Sequence, residues 1–313
     1  MPKPATVETP AELLAFLFAA WPDEKKKQIR TWLKYQSVTV NDRPIAQFNH
    51  PLQPGDVVAI RSDRFAVPKT VLRGGMKVFF EDAHLIVIDK PADLLSIASE
   101  AEQERTAYFH LTEYVRDNQP HAHERVWIVH RLDRETSGLM VFAKTARAKE
   151  TLQGAWDQAE KRYEAVVEGH LAAESGTFEN DLDESNPFKV RIVAPSELTR
   201  HAVTHYRVLA RTTWRTLVEL TLETGRRHQI RVQLTAAGCP IVGDEKYGAK
   251  SDPAKRLGLH ATFLRIPHPE TQQELRFNSP LPRELARLVV APGTRAKRLV
   301  HEHRRDDDDP PAA

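Results

Sequence analysis

The stretch VHRLDRETSGLM, residues 129–140, gathers the side chains of this sequence that are best placed to do chemistry. A single carboxylate, Asp133, lies between Arg131 and Arg134, and the apolar run GLMVFA follows closely. Neighbouring cations keep a carboxylate ionised, and an ionised carboxylate in a poorly solvated place can act as a nucleophile. The alternative interpretation is an aspartate that caps a turn and is satisfied by nearby arginines.

A second charged group lies in HQIRVQL, residues 228–234. Polar and apolar residues alternate there, which predicts a strand with Arg231 on its polar face. If that face is buried, Arg231 requires an acidic partner, because an unpaired buried charge is costly. Asp133 is a candidate for that partner.

The sequence gives little support for a metal site or a nucleotide-binding site. His201 and His205 lie in a pattern that alternates like a strand, which does not bring them together, and His121 and His123 lack a carboxylate or cysteine at ligand spacing. The sequence contains neither GxGxxG nor GxxxxGK[ST], and GxSxG is also missing. The single cysteine, Cys239, excludes an internal disulfide and a cysteine-based zinc site. We therefore expect an activity without metal or cofactor.

Length and composition predict a globular protein of two domains. The chain has 313 residues, of which 41% are hydrophobic and 28% charged, so it can bury a core. No apolar run approaches the roughly 20 residues that span a bilayer, and MPKPATVETP lacks a signal-peptide layout. We therefore expect a soluble, cytoplasmic protein with no membrane partner, assumed to be a monomer. The net charge of +2 does not by itself indicate nucleic acid.

Residues 11–70, after a tail of ten residues, are predicted to form a small α+β domain. Residues 9–12, TPAE, form a capping box, which predicts the start of a first helix there. A second helix is predicted from near Asp23. The segment SVTVNDRPI alternates like a strand and turns at Asn41-Asp42, and LQPGDVVAI predicts a turn into another strand.

The second of these helices is basic. Between residues 12 and 73 there are ten Lys and Arg against six Asp and Glu, so this part is more positive than the whole chain. A surface that faces phosphates would have this charge, although most charge runs are solvated helix faces. The candidate phosphate contacts are Lys26, Lys27, Arg30 and Lys34.

A larger domain is predicted from residue 77 to 295, after a linker at 71–76 and before a polar tail, 296–313, predicted to be disordered. Apolar and alternating segments predict its strands, namely KVFFE, HLIVIDK, GLMVFAKT, KRYEAVVEGHL, VTHYRVLART and TLVELTLET. Two helices are predicted, over TAYFHLTEYVRD and TARAKETLQGAWDQA. Together they predict an α+β fold.

Several motifs of this domain, in one order and with matching spacings, resemble the RluA-type RNA pseudouridine synthases. HRLDRETSGL is similar to the family signature HRLDxxTSGL. VIDKPADLL, KRYEAVVEG, TGRRHQIRVQLTAAGCPIVGDEKYG and LGLHATFLRIPHP resemble further family segments. The resemblance covers about two hundred residues and implies a mixed, largely antiparallel sheet.

This resemblance implies the isomerisation of uridine in RNA to pseudouridine. It makes Asp133 the catalytic aspartate, which attacks either C1′ of the ribose or C6 of the base. It makes Arg231 the arginine that pairs with Asp133, and Tyr163 the tyrosine that packs on the target base and assists removal of its C5 proton. Arg131 enters the space left by the flipped nucleotide, and its neighbour His130 is a further candidate RNA contact.

The first sixty residues resemble the S4 RNA-binding module, which implies that the basic second helix holds structured RNA. The implied substrate is large-subunit ribosomal RNA, with transfer RNA as the alternative. A non-catalytic RNA-binding or ribosome-assembly factor is a second interpretation, and a nucleoside hydrolase a distant third. Three residues depart from the family pattern: Asp93 replaces a glycine, Arg227 a threonine and Gln233 a histidine.

Overall fold

The computed structural model describes residues 2–34, 37–41, 43–45, 48–60, 71–98, 102–118 and 125–289. The predicted tail from 296 to 313 lies outside the described residues, as do His121 and His123. Within the described ranges, the helices are all too short or too polar to cross a membrane.

The first sixty residues form a small unit with a hydrophobic core of its own. Its elements are β1 (Ala5–Thr6), β2 (Ala11–Glu12), α1 (Leu13–Ala20), α2 (Lys26–Lys34), β3 (Val38–Val40), β4 (Arg43–Pro44), β5 (Pro51–Leu52) and β6 (Val57–Ile60). One sheet has the order β1-β6-β3-β4, and β2 pairs with β5. Leu13 and Leu17 of α1 and Ile29 and Leu33 of α2 are spaced by four residues, so each pair lies on one helix face, buried in this core.

Both helices begin later than the sequence predicted. Ala11 and Glu12 are paired with Leu52 and Pro51, and Glu12 makes no side-chain capping bond. The capping-box prediction is therefore wrong, because a strand pairing distant in sequence uses the backbone that the box would have capped. Helix α2 begins at Lys26, three residues after the predicted start.

The larger unit is built on a sheet of eleven strands in the part that the structure describes. The strands are β7 (Lys77–Glu81), β8 (Leu85–Lys90), β9 (Trp127–Ile128), β10 (Ser137–Ala143), β11 (Glu160–Glu168), β12 (Ser175–Asp183), β13 (Arg191–Val193), β14 (Arg200–Arg211), β15 (Arg215–Leu222), β16 (Leu259–Pro267) and β17 (Glu274–Asn278). The helices are α3 (Ala107–Asn118), α4 (Ala146–Gly154), α5 (Gln229–Ala236) and α6 (Arg283–Ala286). Short 3-10 helices lie at Arg73–Gly75, Trp156–Gln158, Glu245–Tyr247 and Arg287–Val289.

The strand order is β13-β12-β14-β15-β11-β16-β10-β8-β7, with β17 beside β16 and β9 beside β10. Among these described pairs, β10 and β16 run parallel and the others antiparallel. The prediction of an α+β fold with a mixed, largely antiparallel sheet is confirmed.

Strand β10 runs through the middle of the core. All seven of its residues are buried, as the apolar run GLMVFA predicted. Leu139 and Val141 pack on the face that α4 covers, and Met140 and Phe142 pack on the face that α3 covers. A strand buried on both faces has apolar residues at successive positions, so this strand was readable from the sequence.

Gly138 is required by the way β10 meets β16. Its φ is 118°, and a Cβ atom added there would lie 2.3 Å from the carbonyl oxygen of Ala261. A side chain at this position would therefore push the two strands apart. The glycine of the HRLDRETSGL motif is therefore required where the chain before β10 enters the sheet.

The strand predicted for HQIRVQL is wrong, because these residues form helix α5. Gln229 to Leu234 are all buried, both polar and apolar. The amide of Gln229 donates to Thr204, and Thr204 donates to the amide oxygen of Gln233 at 2.6 Å. Since the polar side chains are satisfied inside the protein, the alternation in sequence does not correspond to an alternation between core and solvent.

Residues 71–76, predicted as a linker, are ordered against the larger unit. Val71 forms a bridge with Lys77, and Met76 is fully buried in the cluster that includes β8 and β10. The preceding residues, 61–70, lie outside the described ones.

Candidate active site

Asp133 lies in the loop between β9 and β10, and hydrogen bonds to the backbone of this loop hold it in place. The hydroxyl of Ser96 accepts a hydrogen bond from the amide of Leu132 at 3.1 Å and donates to its carbonyl at 2.6 Å. The amide of Thr136 donates to the carbonyl of Asp133 at 3.2 Å. The aspartate is therefore presented on a fixed backbone, which is what a reacting group requires.

A fully buried lysine, Lys90, ties this loop to the turn after β8. Its ammonium donates to the carbonyls of Pro91, Leu94 and Arg134 at 3.0, 2.7 and 3.1 Å. Burial lowers the pKa of Lys90 to about 7, although the nearby charge of Asp133 opposes this effect. Lys90 thus fastens two segments that are 44 residues apart in sequence.

The turn that Lys90 fastens includes Asp93, one of the departures from the family pattern. Asp93 has a φ of 64°, the left-handed conformation that a glycine adopts easily. Aspartate tolerates this conformation better than most residues. The turn therefore has a backbone conformation that a glycine would also adopt, although the residue at this position is an aspartate.

Arg231 lies on α5 and is fully buried among carboxylates. It makes a two-pronged ion pair with Asp244, with Nε–Oδ2 at 2.8 Å and Nη2–Oδ1 at 2.7 Å. Its remaining nitrogen, Nη1, lies 3.1 Å from Glu135 and 3.6 Å from Asp133. The predicted proximity of Arg231 and Asp133 is present, but Asp244 is the partner that orients the guanidinium.

These charges act on the carboxyl group of Asp133 in opposite directions. Burial raises the pKa of Asp133, the charge of Arg231 lowers it, and the negative charge of Glu135 raises it again. The net result is a pKa above the ordinary value of 3.8. A carboxylate with a raised pKa is more basic and more nucleophilic than an ordinary aspartate.

Tyr163 lies on β11 beside a β-bulge. The register of β11 against β16 shifts between Arg162 and Tyr163, and bulges commonly re-aim side chains near functional sites. Burial, together with the charge of Asp133, raises the pKa of Tyr163 far above its ordinary value of 10.0. The phenol therefore stays protonated, which suits packing against a flat ligand better than removing a proton from it.

These side chains line one open cavity of about 440 Å³. Its lining includes Arg131, Asp133, Tyr163, Arg227 and Arg231. A volume in this range accommodates a nucleotide-sized ligand. The cavity thus brings together the predicted nucleophile, the predicted stacking ring and the predicted cations.

The chain is similar to several known proteins. Residues 84–236 match the RNA pseudouridylate synthase family. The ribosomal large subunit pseudouridine synthase D of Escherichia coli O6:H1 is 34% identical over 291 residues, which cover 86% of this chain and 86% of that protein. The chain belongs to the RNA pseudouridylate synthase family. It is an isomerase that converts uridine in RNA to pseudouridine.

Other relatives of the synthase support this assignment. The uncharacterized RNA pseudouridine synthase YhcT of Bacillus subtilis (strain 168) is 34% identical over 84% of this chain and 87% of that protein. The solved structure of human RNA pseudouridylate synthase domain containing 4 is 28% identical with a TM-score of 0.57, over 66% of this chain and 89% of that one. Human RNA pseudouridylate synthase domain containing 1, at 24% identity and a TM-score of 0.54, covers 68% and 85% and supports the fold.

The side chain of His130, the residue before Arg131, makes its contacts inside the protein. Its ring stacks on Trp156 with centroids 4.4 Å apart, and its Nε2 accepts a hydrogen bond from the amide of Val141 at 3.1 Å. Burial lowers the pKa of His130 to about 3, so the ring is neutral. We infer that His130 positions the loop, whereas the exposed Arg131 at the cavity remains the candidate RNA contact.

The basic helix of the synthase is described in part. Lys26 and Arg30 are exposed and lie over the ring of Phe18, at 5.7 and 5.6 Å from its centroid. The side chains of Lys27 and Lys34 lie outside the described ones. Lys26 and Arg30 therefore share one side of the small unit, as expected for residues one turn apart.

Sequence reasoning missed three residues of the synthase's site: Lys90, Glu135 and Asp244. Asp244 belongs to GDEKYG, the end of a segment that resembles the family, but its sequence position did not indicate a contact with Arg231. The available signal was Arg231 itself, because a buried arginine requires acidic partners and the sequence analysis named only Asp133. As for metals, no group of three or more His, Cys, Asp or Glu that could hold an ion is found among the described residues.

We predict that Glu135→Gln extends the synthase's activity to lower pH. On the prediction that Asp133 is the nucleophile and acts as a carboxylate, activity is present above the pKa of Asp133 and is lost as the pH falls through it. Removing the charge of Glu135 lowers that pKa and also frees Nη1 of Arg231 for Asp133. The acid limb of a kcat/KM–pH profile should therefore move to lower pH.

Glu150→Gln is the matched control for this shift, since Glu150 is an exposed glutamate on α4. Its profile should overlay that of the wild type. An acid limb that moves upward or stays in place in Glu135→Gln would contradict the coupling of these charges.

Proposed function

We propose that this synthase isomerises specific uridines of large-subunit ribosomal RNA, with Asp133 as the nucleophile. The observation that carries the proposal is the position of Asp133, fixed in a nucleotide-sized cavity beside Arg231 and Tyr163. The choice of ribosomal RNA is supported by the relative named ribosomal large subunit pseudouridine synthase D, which aligns over 86% of both chains.

The reaction needs no external reactant, because it rearranges one nucleotide. The N1–C1′ bond of uridine breaks, the uracil turns, and a C5–C1′ bond forms. C5 loses its proton and N1 gains one, so atoms and electrons balance. The Asp133 carboxylate starts the sequence by bonding either to C1′ of the ribose or to C6 of the base, and it is released at the end.

The other residues of the cavity hold the nucleotide and the nucleophile. Arg231 keeps Asp133 ionised, and its own charge is secure because the carboxylates around it outweigh the effect of burial on its pKa. Tyr163 packs against the uracil. The target nucleotide must be flipped out of the RNA stack to reach this cavity, and the exposed guanidinium of Arg131 fills the space that it leaves.

Pseudouridine mapping tests the proposal most directly. RNA from a strain that lacks the gene would be treated with carbodiimide, read by reverse transcription, and compared with RNA from strains that re-express the wild type or Asp133→Asn. We expect a stop in large-subunit ribosomal RNA that the wild type restores and Asp133→Asn does not.

Other outcomes of the mapping would redirect the proposal. A restored stop in transfer RNA would show that the substrate is transfer RNA. A stop that Asp133→Asn also restores would show that Asp133 is not the nucleophile. If the wild type restored no stop at all, both the substrate and the proposed chemistry would be wrong.

We also propose that residues 11–70 form an S4-type RNA-binding domain, joined through residues 71–76 to a catalytic domain that runs to residue 295. A separate hydrophobic core, a basic α2 and a small antiparallel sheet support this division. We take a monomer as the acting form. We propose the cytoplasm as the place where the protein acts, because a ribosomal RNA substrate would be met there.

Replacing both described cations of α2, as in Lys26→Ala with Arg30→Ala, should weaken RNA binding. Each phosphate contact contributes roughly 0.7 to 0.9 to the slope of log K against log salt concentration, so the slope should fall by about 1.5. Binding titrations at several salt concentrations measure it. The paired control is Arg283→Ala with Arg287→Ala, two exposed arginines near the end of the described chain. An unchanged slope in the α2 variant would refute the S4 proposal.

A further inference from the structure

The loop of residues 184–190 joins β12 to β13 at the rim of the catalytic cavity. Asp183 and Arg191 pair at the base of this hairpin, and Glu184 lines the cavity. Neither the catalytic chemistry nor the S4 proposal uses this loop. It nevertheless carries Phe188, whose side chain is 75% exposed to solvent.

Arg227, which stands where the family usually has threonine, holds one half of the loop. Its guanidinium donates to the carbonyls of Glu184, Asn186 and Pro187, with the first and last at 2.7 and 2.9 Å. Its backbone amide also donates to the carboxylate of Glu184 at 2.7 Å. A threonine is too short to make the three guanidinium contacts, so this anchoring depends on the arginine.

Tyr247 holds the other end of the loop. Its hydroxyl accepts a hydrogen bond from the amide of the fully buried Val190 at 2.9 Å and also contacts Nδ1 of His228 at 2.8 Å. The guanidinium of Arg231 lies over its ring at 5.3 Å from the centroid. The loop is therefore fastened at one end to Arg227 of the cavity and at the other end to Tyr247, which contacts His228 and Arg231 of the cavity.

Between these anchors the backbone is also ordered locally. The side-chain oxygen of Asn186 accepts hydrogen bonds from the amides of Phe188 and Lys189 at 2.8 and 3.2 Å. The ring of Phe188 thus projects from a rigid loop into solvent. A rigid platform loses little conformational entropy when a ligand binds to it.

The surroundings of Phe188 favour RNA as that ligand. Lys189 follows Phe188 in the loop and is exposed, and the exposed Arg226, next to Arg227 in the chain, lines the cavity that takes the flipped uridine. Single-stranded nucleic acid is commonly held by an exposed aromatic ring that stacks on a base, next to cations that meet the backbone. A single exposed aromatic side chain is common on protein surfaces, but this one lies on a loop that is held by Arg227 of the cavity and by Tyr247.

We propose that Phe188 stacks on an unpaired base of the substrate RNA that neighbours the flipped uridine, and that Arg227 is the positioning residue that holds it there. This proposal rests on the proposed function, since it assumes that the cavity takes a uridine from RNA. It assigns to this synthase a second base contact outside the catalytic cavity.

The test uses the full-length enzyme and a stem-loop RNA in which the wild type forms pseudouridine. Loss of a base stack weakens binding by an amount that corresponds to about tenfold or more in KM. We expect Phe188→Ala to raise KM by that factor with kcat nearly unchanged, and Phe188→Trp to restore KM. Trp214→Ala is the matched control, an aromatic side chain 79% exposed at the far end of β15, roughly 25 Å along the strand from Leu222 at the cavity.

Two further comparisons separate stacking from a general effect on the fold. Removing one flanking base at a time, by abasic substitution in the RNA, should identify a position at which Phe188→Ala has no further effect. Arg227→Thr should also raise KM, and adding Phe188→Ala to it should raise KM little more.

The outcomes distinguish this proposal from the one on which it rests. Product formed by the wild type with an unchanged KM in Phe188→Ala would overturn the stacking contact and leave the proposed function intact. A raised KM that Phe188→Trp does not restore, and that no abasic position masks, would also overturn it. No product from the wild type on any RNA would overturn both.

Discussion

Asp133→Asn should abolish pseudouridine formation, lowering kcat by at least about 10⁴-fold, and leave RNA affinity close to that of the wild type. The amide has nearly the shape of the carboxylate but is not a nucleophile. Arg231 keeps Asp244 and Glu135 as partners in this variant, so no buried cation is left unpaired. Product is measured by chromatography of digested RNA, and affinity by filter binding.

The matched control for this prediction is Asp93→Asn. Asp93 is an exposed aspartate on the neighbouring turn, and asparagine tolerates its left-handed backbone conformation. This variant should turn over like the wild type. Appreciable turnover by Asp133→Asn, with folding and RNA binding unchanged, would rule out Asp133 as the nucleophile.

Asp244→Asn should lower the free energy of unfolding by about 3 to 5 kcal/mol, because it leaves the buried guanidinium of Arg231 without its main partner. Both side chains of this pair are almost fully buried, with 3% and 1% of their surfaces exposed. The substitution conserves volume, so the loss arises from charge rather than from a cavity. Urea unfolding followed by tryptophan fluorescence measures it.

The same substitution should lower activity even in the protein that remains folded. Without Asp244, the guanidinium of Arg231 is free to turn toward Glu135, and Asp133 loses a fixed cation. The exposed Asp117→Asn on α3 is the control and should change neither stability nor activity. If Asp244→Asn unfolded with its midpoint at the same urea concentration as the wild type, the ion pair of Arg231 and Asp244 would not contribute to stability.

A double variant separates the structural part of this pair from the catalytic part. Replacing a buried ion pair by apolar residues of similar size is often neutral or stabilising. Arg231→Met with Asp244→Leu should therefore recover much of the stability that Asp244→Asn loses. Activity should stay low, because Asp133 then lacks the cation that keeps it ionised.

The strands of the larger unit were readable from the sequence where burial and apolarity coincide. Strand β10 is buried on both faces, so each of its residues had to be apolar or small, and the run GLMVFA shows this directly. The same holds for the apolar parts of β8, β11 and β15. Local sequence is informative there because every position has the same environment.

Helix α5 was misread for the opposite reason. Its glutamines and Arg231 are as buried as its apolar residues, and each is satisfied by a side chain that is distant in sequence. Alternation in sequence predicts a strand only when polar residues face solvent. The start of α1 was misread similarly, since the pairing of Ala11 with Leu52 outweighed a local capping pattern.

The sequence by itself determined the family, the class of fold and the identity of Asp133, Tyr163 and Arg231 as the candidate catalytic residues, because these depend on residue types at fixed spacings. Only the tertiary structure showed that Asp244 orients Arg231 and that Lys90 fastens the loop of Asp133. It also showed that Arg227 holds the loop of Phe188 at the rim of the cavity. These contacts join positions 13, 44 and about 40 residues apart, and the spacing of residues along the chain does not show which groups meet in the folded protein.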